Sequence, residues 1–193
     1  MVWTMSDIIE GKCFKGINFS ETEIVRADFE NCSFVNCIFL NSDLAKINFT
    51  ECEFDNCNLA MAKICRTSFQ TVKFLNCKLL GLHFSDCNPF LLSVSFEGCH
   101  LQLASFYKLK LKGARFKNCN LQEADFTESD LTGSIFDNCD LAGAIFQFTL
   151  LEKSDFRTSF NYSFDPELNR IKKAKFSLAG IPGLLGKYNI EIE

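Results

Sequence analysis

Every fifth residue of this chain is a large apolar one, and that period constrains the fold more than any other feature. Starting at Phe14 the series reads Phe14, Phe19, Ile24, Phe29, Phe34, Phe39, Leu44, Phe49, Phe54, Leu59, Ile64, Phe69, Phe74, Leu79 and Phe84. The phase slips by two residues at Cys87-Asn88-Pro89-Phe90 and is expected to resume at Leu91. It then runs Phe96, Leu101, Phe106, Leu111, Phe116, Leu121, Phe126, Leu131, Phe136, Leu141, Phe146, Leu151 and Phe156, alternating without error. Of the 22 Phe, 18 fall on this grid once Phe176 is included, so one packing slot accounts for most of the aromatic content.

A second position, two residues before each of these, is small or carries a thiol. It reads Ala27, Cys32, Cys37, Ser42, Cys52, Cys57, Ala62, Thr67 and Cys77 in the first block. In the second it includes Cys99, Ala104, Ala114, Cys119, Ala124, Ser129, Ser134, Cys139, Ala144, Thr149 and Ser154. A helix requires a period of 3.6, a coiled coil 3.5 and a plain strand 2, so none of these fits. Two inward residues spaced by two fit a short extended segment, because i and i+2 share a face. The remaining residues must turn a corner before the next segment repeats the orientation.

A longer period of twenty lies over the five. Phe14, Phe34, Phe54 and Phe74 form one column, Phe96, Phe116, Phe136 and Phe156 another, and Leu111, Leu131 and Leu151 a third. The thiols recur likewise as Cys37, Cys57 and Cys77, as Cys32 and Cys52, and as Cys99, Cys119 and Cys139. Asn36, Asn56, Asn76, Asn118 and Asn138 fall where corners are expected, and Asn tolerates turn backbone. At about 4.8 Å per coil, roughly seven coils would make a rod about 35 Å long.

The unit resembles that of the pentapeptide-repeat family, usually written A(D/N)LXX, with close local matches at Ala124-Asp125-Phe126, Ser129-Asp130-Leu131 and Ser154-Asp155-Phe156. The resemblance spans about residues 9 to 176. It implies an all-β fold, a right-handed quadrilateral parallel β-helix with four pentapeptides per coil. The expected organisation is a single solenoid domain over 1–193. Repeat block 9–86 is followed by the break at 87–90 and block 91–156. An irregular segment and last coil then cover 157–176, and a cap covers 177–193.

Both ends of such a rod need closing, since a bare terminal coil is a template for aggregation. Trp3, Ile8 and Ile9 are expected to cover the first. After Phe156 the grid lapses through Arg157–Arg170 and returns in phase at Ile171 and Phe176. The remaining residues read as a short helix and a terminal strand. Leu178, Ile181, Leu184, Leu185, Tyr188, Ile190 and Ile192 are many apolar residues for a tail. They suit a cap folded on its own last coil, or one that also forms a two-fold homodimer seam.

Catalytic chemistry has little to build on. The eleven Cys include no C-x-x-C, His is limited to His83 and His100, and no phosphate loop or Ser-His-Asp set stands out. No cofactor, metal or catalytic residue is expected, and inward Cys reads as a small hydrophobe. The start of the chain has no basic and apolar leader, and no run approaches the roughly 18 apolar residues of a membrane span. The chain is therefore expected to be cytoplasmic, with its thiols reduced.

Charge is the remaining signal. The net charge is −4, which argues against direct nucleic-acid binding. Between Glu123 and Asp155 lie Glu123, Asp125, Glu128, Asp130, Asp137, Asp140, Glu152 and Asp155 against the single base Lys153. Bases flank this band at Lys108, Lys110, Lys112, Arg115 and Lys117, and again at Arg170, Lys172, Lys173 and Lys175. One reading is solvation with ladder salt bridges, such as Lys117 to Asp137 one coil apart. The other is an acidic recognition surface for a basic groove on a partner.

The two repeat blocks, and an ending that reads KKAKFSLAGIPGLLGKYNIEI, resemble the quinolone-resistance (Qnr-type) pentapeptide proteins. That resemblance implies a C-terminal dimer whose acidic rod mimics duplex DNA and binds type II topoisomerases, DNA gyrase or topoisomerase IV. The break of two residues leaves no room for the projecting loops of Qnr-type proteins. The alternative is a generic scaffold that binds another protein along one face.

Overall fold

The computed structural model describes residues 7–22 and 24–192. Its strands are β1 (Asp7–Glu10), β2 (Cys13–Lys15), β3 (Ala27–Glu30), β4 (Ser33–Val35), β5 (Asn48–Thr50) and β6 (Glu53–Asp55). They continue as β7 (Ser68–Gln70), β8 (Val72–Leu75), β9 (Val94–Glu97), β10 (Arg115–Lys117) and β11 (Ile135–Asp137). All the pairings are parallel. One sheet has the order β1-β3-β5-β7 and the other β11-β10-β9-β8-β6-β4-β2. Single parallel bridges such as Asn58 with Lys78 and Ser105 with Asp125 complete the other two sides.

The result is a four-sided β-solenoid. We call the sides first to fourth after the columns that begin at Phe14, Phe19, Ile24 and Phe29. The first side is a column of Phe from Phe14 to Phe176, each ring stacked on the next with centroids 4.7–5.4 Å apart. Rings of neighbouring sides meet edge to face, as Phe116 and Phe126 do at 5.9 Å, a geometry that the ring quadrupole favours.

The five-residue unit follows from local chemistry. Its first residue points inward and must be small, because the corner brings the chain close to the axis. Its third points inward and fills the axis. Its fifth takes the left-handed conformation that turns the corner, and positive φ recurs at every fifth residue from Asn31 to Gly81. Asn pays least for this among residues with a side chain. Asn56 and Asn138 also donate to Asn36 and Asn118 one coil below, at 2.6 and 2.9 Å. The second residue faces out, and Asp in this slot can accept from the N–H two residues on. Asp43, Asp125, Asp130, Asp140 and Asp155 all do so.

The break differs from the sequence expectation. The corner due at Asp86 is replaced by a 3-10 turn over Phe84–Asp86. Leu91, expected to restart the inward series, instead takes φ 56° and is 60% exposed. It is the last corner of the first phase, and the two extra residues come after it. Leu92 turns in against the core in its place, and the new phase starts at Val94 and Phe96. The core passes through unbroken: Phe74 stacks on Phe96 at 5.4 Å. The two thiol columns expected on either side join into one, from Cys37 to Cys139, each Sγ donating to a backbone carbonyl on the coil below or its own.

At the C-terminal end the grid position Asn161 is an exposed corner, and Tyr162 and Phe164 enter the core instead. Ile171 and Phe176 return in phase, with Phe176 stacked on Phe156 at 5.4 Å. The slot above Thr149 holds Asn169, which is buried. Its Oδ1 accepts from Thr149 N–H at 2.9 Å, and its Nδ2 donates to the carbonyls of Phe146 and Asp165, both at 2.8 Å. One side chain thus ties the irregular segment to the regular coil.

The cap is a short helix, α1 (Pro182–Leu185), between two 3-10 turns. Only Leu184 of its apolar residues is buried. Gly183 lies flat against the Tyr162 carbonyl, where a Cβ would clash with backbone, and its own carbonyl accepts from Phe164 N–H at 3.1 Å. The expected terminal strand does not form. Asn189 is left-handed at φ 48°, and residues 190–192 join no ladder among the described residues. At the other end Ile9 packs on the core while Ile8 is 60% exposed, and Trp3 lies outside the described residues.

Candidate functional site

The interior offers no reactive chemistry that solvent can reach. Nine of the eleven Cys are buried, with Cys13 and Cys65 the exposed pair. Burial raises the Cys52 thiol to about 11 and the Cys87 thiol to about 12, so neither forms the nucleophilic thiolate. Among the described residues no group of three or more His, Cys, Asp or Glu is placed to hold a metal. No described helix is long and apolar enough to cross a membrane.

The acidic band is contiguous in sequence and dispersed in space. Each pentapeptide turns the chain by one side, so acids five residues apart face different directions. Asp125 sits in the ladder of Ser105 and Ile145, Asp130 in that of Lys110 and Leu150, Asp140 in that of Asn120 and Phe160, and Asp155 in that of Ile135 and Lys175. These are the third, fourth, second and first sides. Glu123, Glu128 and Asp137 stand at or beside corners between them. The band is a collar round the rod, not a stripe along it.

Bases and amides occupy much of this collar. Lys112 lies 3.3 Å from Asp130, Lys108 3.5 Å from Glu128, and Arg157 2.7 Å from Asp155. The Arg157 hydrogen bond holds the Asp155 carboxyl below the usual carboxylate range. Asp140 accepts from Gln122 at 2.7 Å and Asn161 at 2.8 Å. Burial works to raise this carboxyl, and these bonds with that from Ala142 N–H outweigh it. The expected pair of Lys117 with Asp137 is not formed. Lys117 reaches down to Glu97 at 2.7 Å, and Asp137 accepts from the Thr158 hydroxyl at 2.9 Å.

The cap presents a clearer surface. Leu178 is 93% exposed, and Ile181, Tyr188, Ile190 and Ile192 are exposed beside the buried Leu184 and half-buried Leu185. Its position is fixed by Lys187, held between Asp165 at 2.8 Å and Glu167 at 2.7 Å. The Lys187 ammonium depresses both carboxyls, and they in turn raise Lys187.

One surface escaped the sequence reading. On the second side, Ile38, Leu40, Met61, Leu80 and Leu103 are exposed on four successive coils joined by the ladder Ile38–Asn58–Lys78–His100. Each stands in an outward or corner slot that the repeat normally fills with polar residues. That mismatch is the signal by which the strip could have been found.

Comparison with known proteins agrees with this geometry. The family profile described as "Pentapeptide repeat region" matches residues 27–89 and 91–160, parting at the break. No curated protein sequence matches. Among solved structures, a trypsin-treated variant of QnrB1, described as a plasmid-mediated fluoroquinolone resistance protein, superposes with a TM-score of 0.61 at 18% identity. That match covers 97% of this chain and 92% of the other. HetL, described as involved in heterocyst differentiation regulation in the cyanobacterium Nostoc sp. strain PCC 7120, gives 0.57 at 14% identity, covering 90% and 87%. At these identities the likeness is one of fold.

Proposed function

The chain belongs to the pentapeptide-repeat family, and from that premise we propose that it is a non-enzymatic binding rod, dimeric through its C-terminal cap, that engages a protein partner along its sides. The observation that carries this reading is the exposed apolar cap at the C-terminal end of the solenoid. A cap that buries Leu184 and leaves Leu178, Ile181, Tyr188, Ile190 and Ile192 to solvent suits a second surface. A two-fold contact would cover the cap of both copies at once. The apolar strip on the second side is the place on the flank best suited to a protein partner.

Binding to a type II topoisomerase, with an effect on quinolone sensitivity, is the narrower reading. It draws on the whole-length likeness to QnrB1. DNA mimicry needs negative charge in a continuous track, and the collar, partly neutralised and spread over four sides, does not supply one. The geometry therefore favours an adaptor for another protein.

Light scattering on a sizing column tests both. The chain should elute at twice its 21.9 kDa mass, and Leu178→Lys with Ile190→Lys should elute as a monomer with an unchanged fold. DNA gyrase added to the same column should not shift the peak. A monomeric parent chain would refute the dimer, and co-elution with gyrase would restore the mimicry reading.

A further inference from the structure

The phase break leaves a notch in the rod. On the second and third sides the coils on either side of the break are bridged, by Lys78 with His100 and His83 with Ser105, and on the first by β8 with β9. On the fourth side no such bridge joins residue 88 to residue 110. Leu91 turns outward there and Leu92 only partly fills the gap. A cavity of about 250 Å³ remains at the edge between the fourth and first sides.

Four basic residues line this notch: Lys73 from the coil below, and Lys110, Lys112 and Arg115 from the coil above. Thr71, Ser93 and Ser95 add hydroxyls to its wall, and Leu92 and Val94 line it with apolar surface. Lys112 is shared with Asp130 at 3.3 Å. Lys73, Lys110 and Arg115 form no ion pair within 4 Å among the described residues. The nearest acid to Lys73 by register is Glu53 on β6, and Glu97 on β9 is taken by Lys117.

We propose that this notch binds a small ligand through a diphosphate group. The charge fixes the class: three free cations call for more than a carboxylate, and a phosphate monoester brings only about −1.5 to −2. A second phosphoryl group comes close to balance. Arg115 supplies a planar fork for two oxygens, and the lysines act as point charges. The notch is small and open to solvent, which suits a small ligand. A nucleic-acid backbone is disfavoured, because it would continue past the notch onto Glu51 and Glu53 below or the acidic collar above.

Calorimetric titration of the full chain with inorganic pyrophosphate, at about 0.15 M salt, tests this. One saturable site is expected, binding pyrophosphate about tenfold more tightly than inorganic phosphate. Lys73→Gln with Arg115→Gln should weaken it by at least another factor of about ten. Both side chains are exposed, so the double variant should keep its fold, checked by circular dichroism. Absence of saturable binding, equal affinity in the double variant, or displacement of pyrophosphate by a short DNA duplex would overturn the proposal.

Discussion

Replacing Phe116 by Ala should cost about 4 kcal/mol of unfolding free energy, within the range of about 3–5 kcal/mol for a buried phenylalanine. Phe116 is fully buried. Its ring stacks on Phe96 at 5.3 Å and under Phe136 at 4.9 Å, and meets Phe106 and Phe126 edge to face. The cavity left behind is walled by rings that are themselves fixed by the next coils, so the site cannot collapse to fill it. In a solenoid each coil contacts only its neighbours, and a weakened interface in mid-rod lowers cooperativity as well as stability. Urea unfolding followed by circular dichroism should show a lower midpoint and a broader transition. Phe160→Ala, at a ring 46% exposed, should change stability by less than about 0.5 kcal/mol. Equal effects at the two positions would contradict the assigned register.

Asn169→Ala should be nearly as damaging, at about 3 kcal/mol, for a different reason. The side chain makes two buried hydrogen bonds and one partly buried, and its loss strands the Thr149 N–H and the Phe146 and Asp165 carbonyls. An unsatisfied buried polar group costs about 1–3 kcal/mol, partly relieved where water can enter. The loss should be local. Hydrogen exchange should rise across residues 157–176 and the cap, and stay low in the coils from Phe34 to Phe126. Uniform exchange along the rod, or a loss below about 0.5 kcal/mol, would show that Asn169 does not anchor the segment.

These two residues mark how far the sequence could be read. Phe116 was legible because a stacked core demands the same residue type at the same slot, and periods of five and twenty carry that demand in plain form. The thiol columns were legible for the same reason. Asn169 was not, because an amide in a slot otherwise held mostly by Ala, Cys, Ser or Thr gives no hint of which carbonyls it reaches. Leu91 misled because leucine fits the inward slot, and nothing in its identity announces a left-handed corner. Ile190 and Ile192 alternate as a strand would, but alternation does not supply an edge to pair with. The acidic band misled most instructively. Neighbours in sequence face different sides in a coil that turns every five residues, so charge in such a chain must be read along columns of twenty. Read that way, the collar separates, while Lys73 and Arg115 fall in one column and line the notch at the break with Lys110 and Lys112.

One continuous interior runs through the break and leaves binding chemistry to the outer surface. Counting reactive thiols in the native protein tests it most directly. With a thiol reagent under native conditions, Cys13 and Cys65 should react quickly and the nine buried thiols only on unfolding. Rapid reaction of Cys77, Cys87 or Cys99, which flank the break, would show that the two blocks do not share a core.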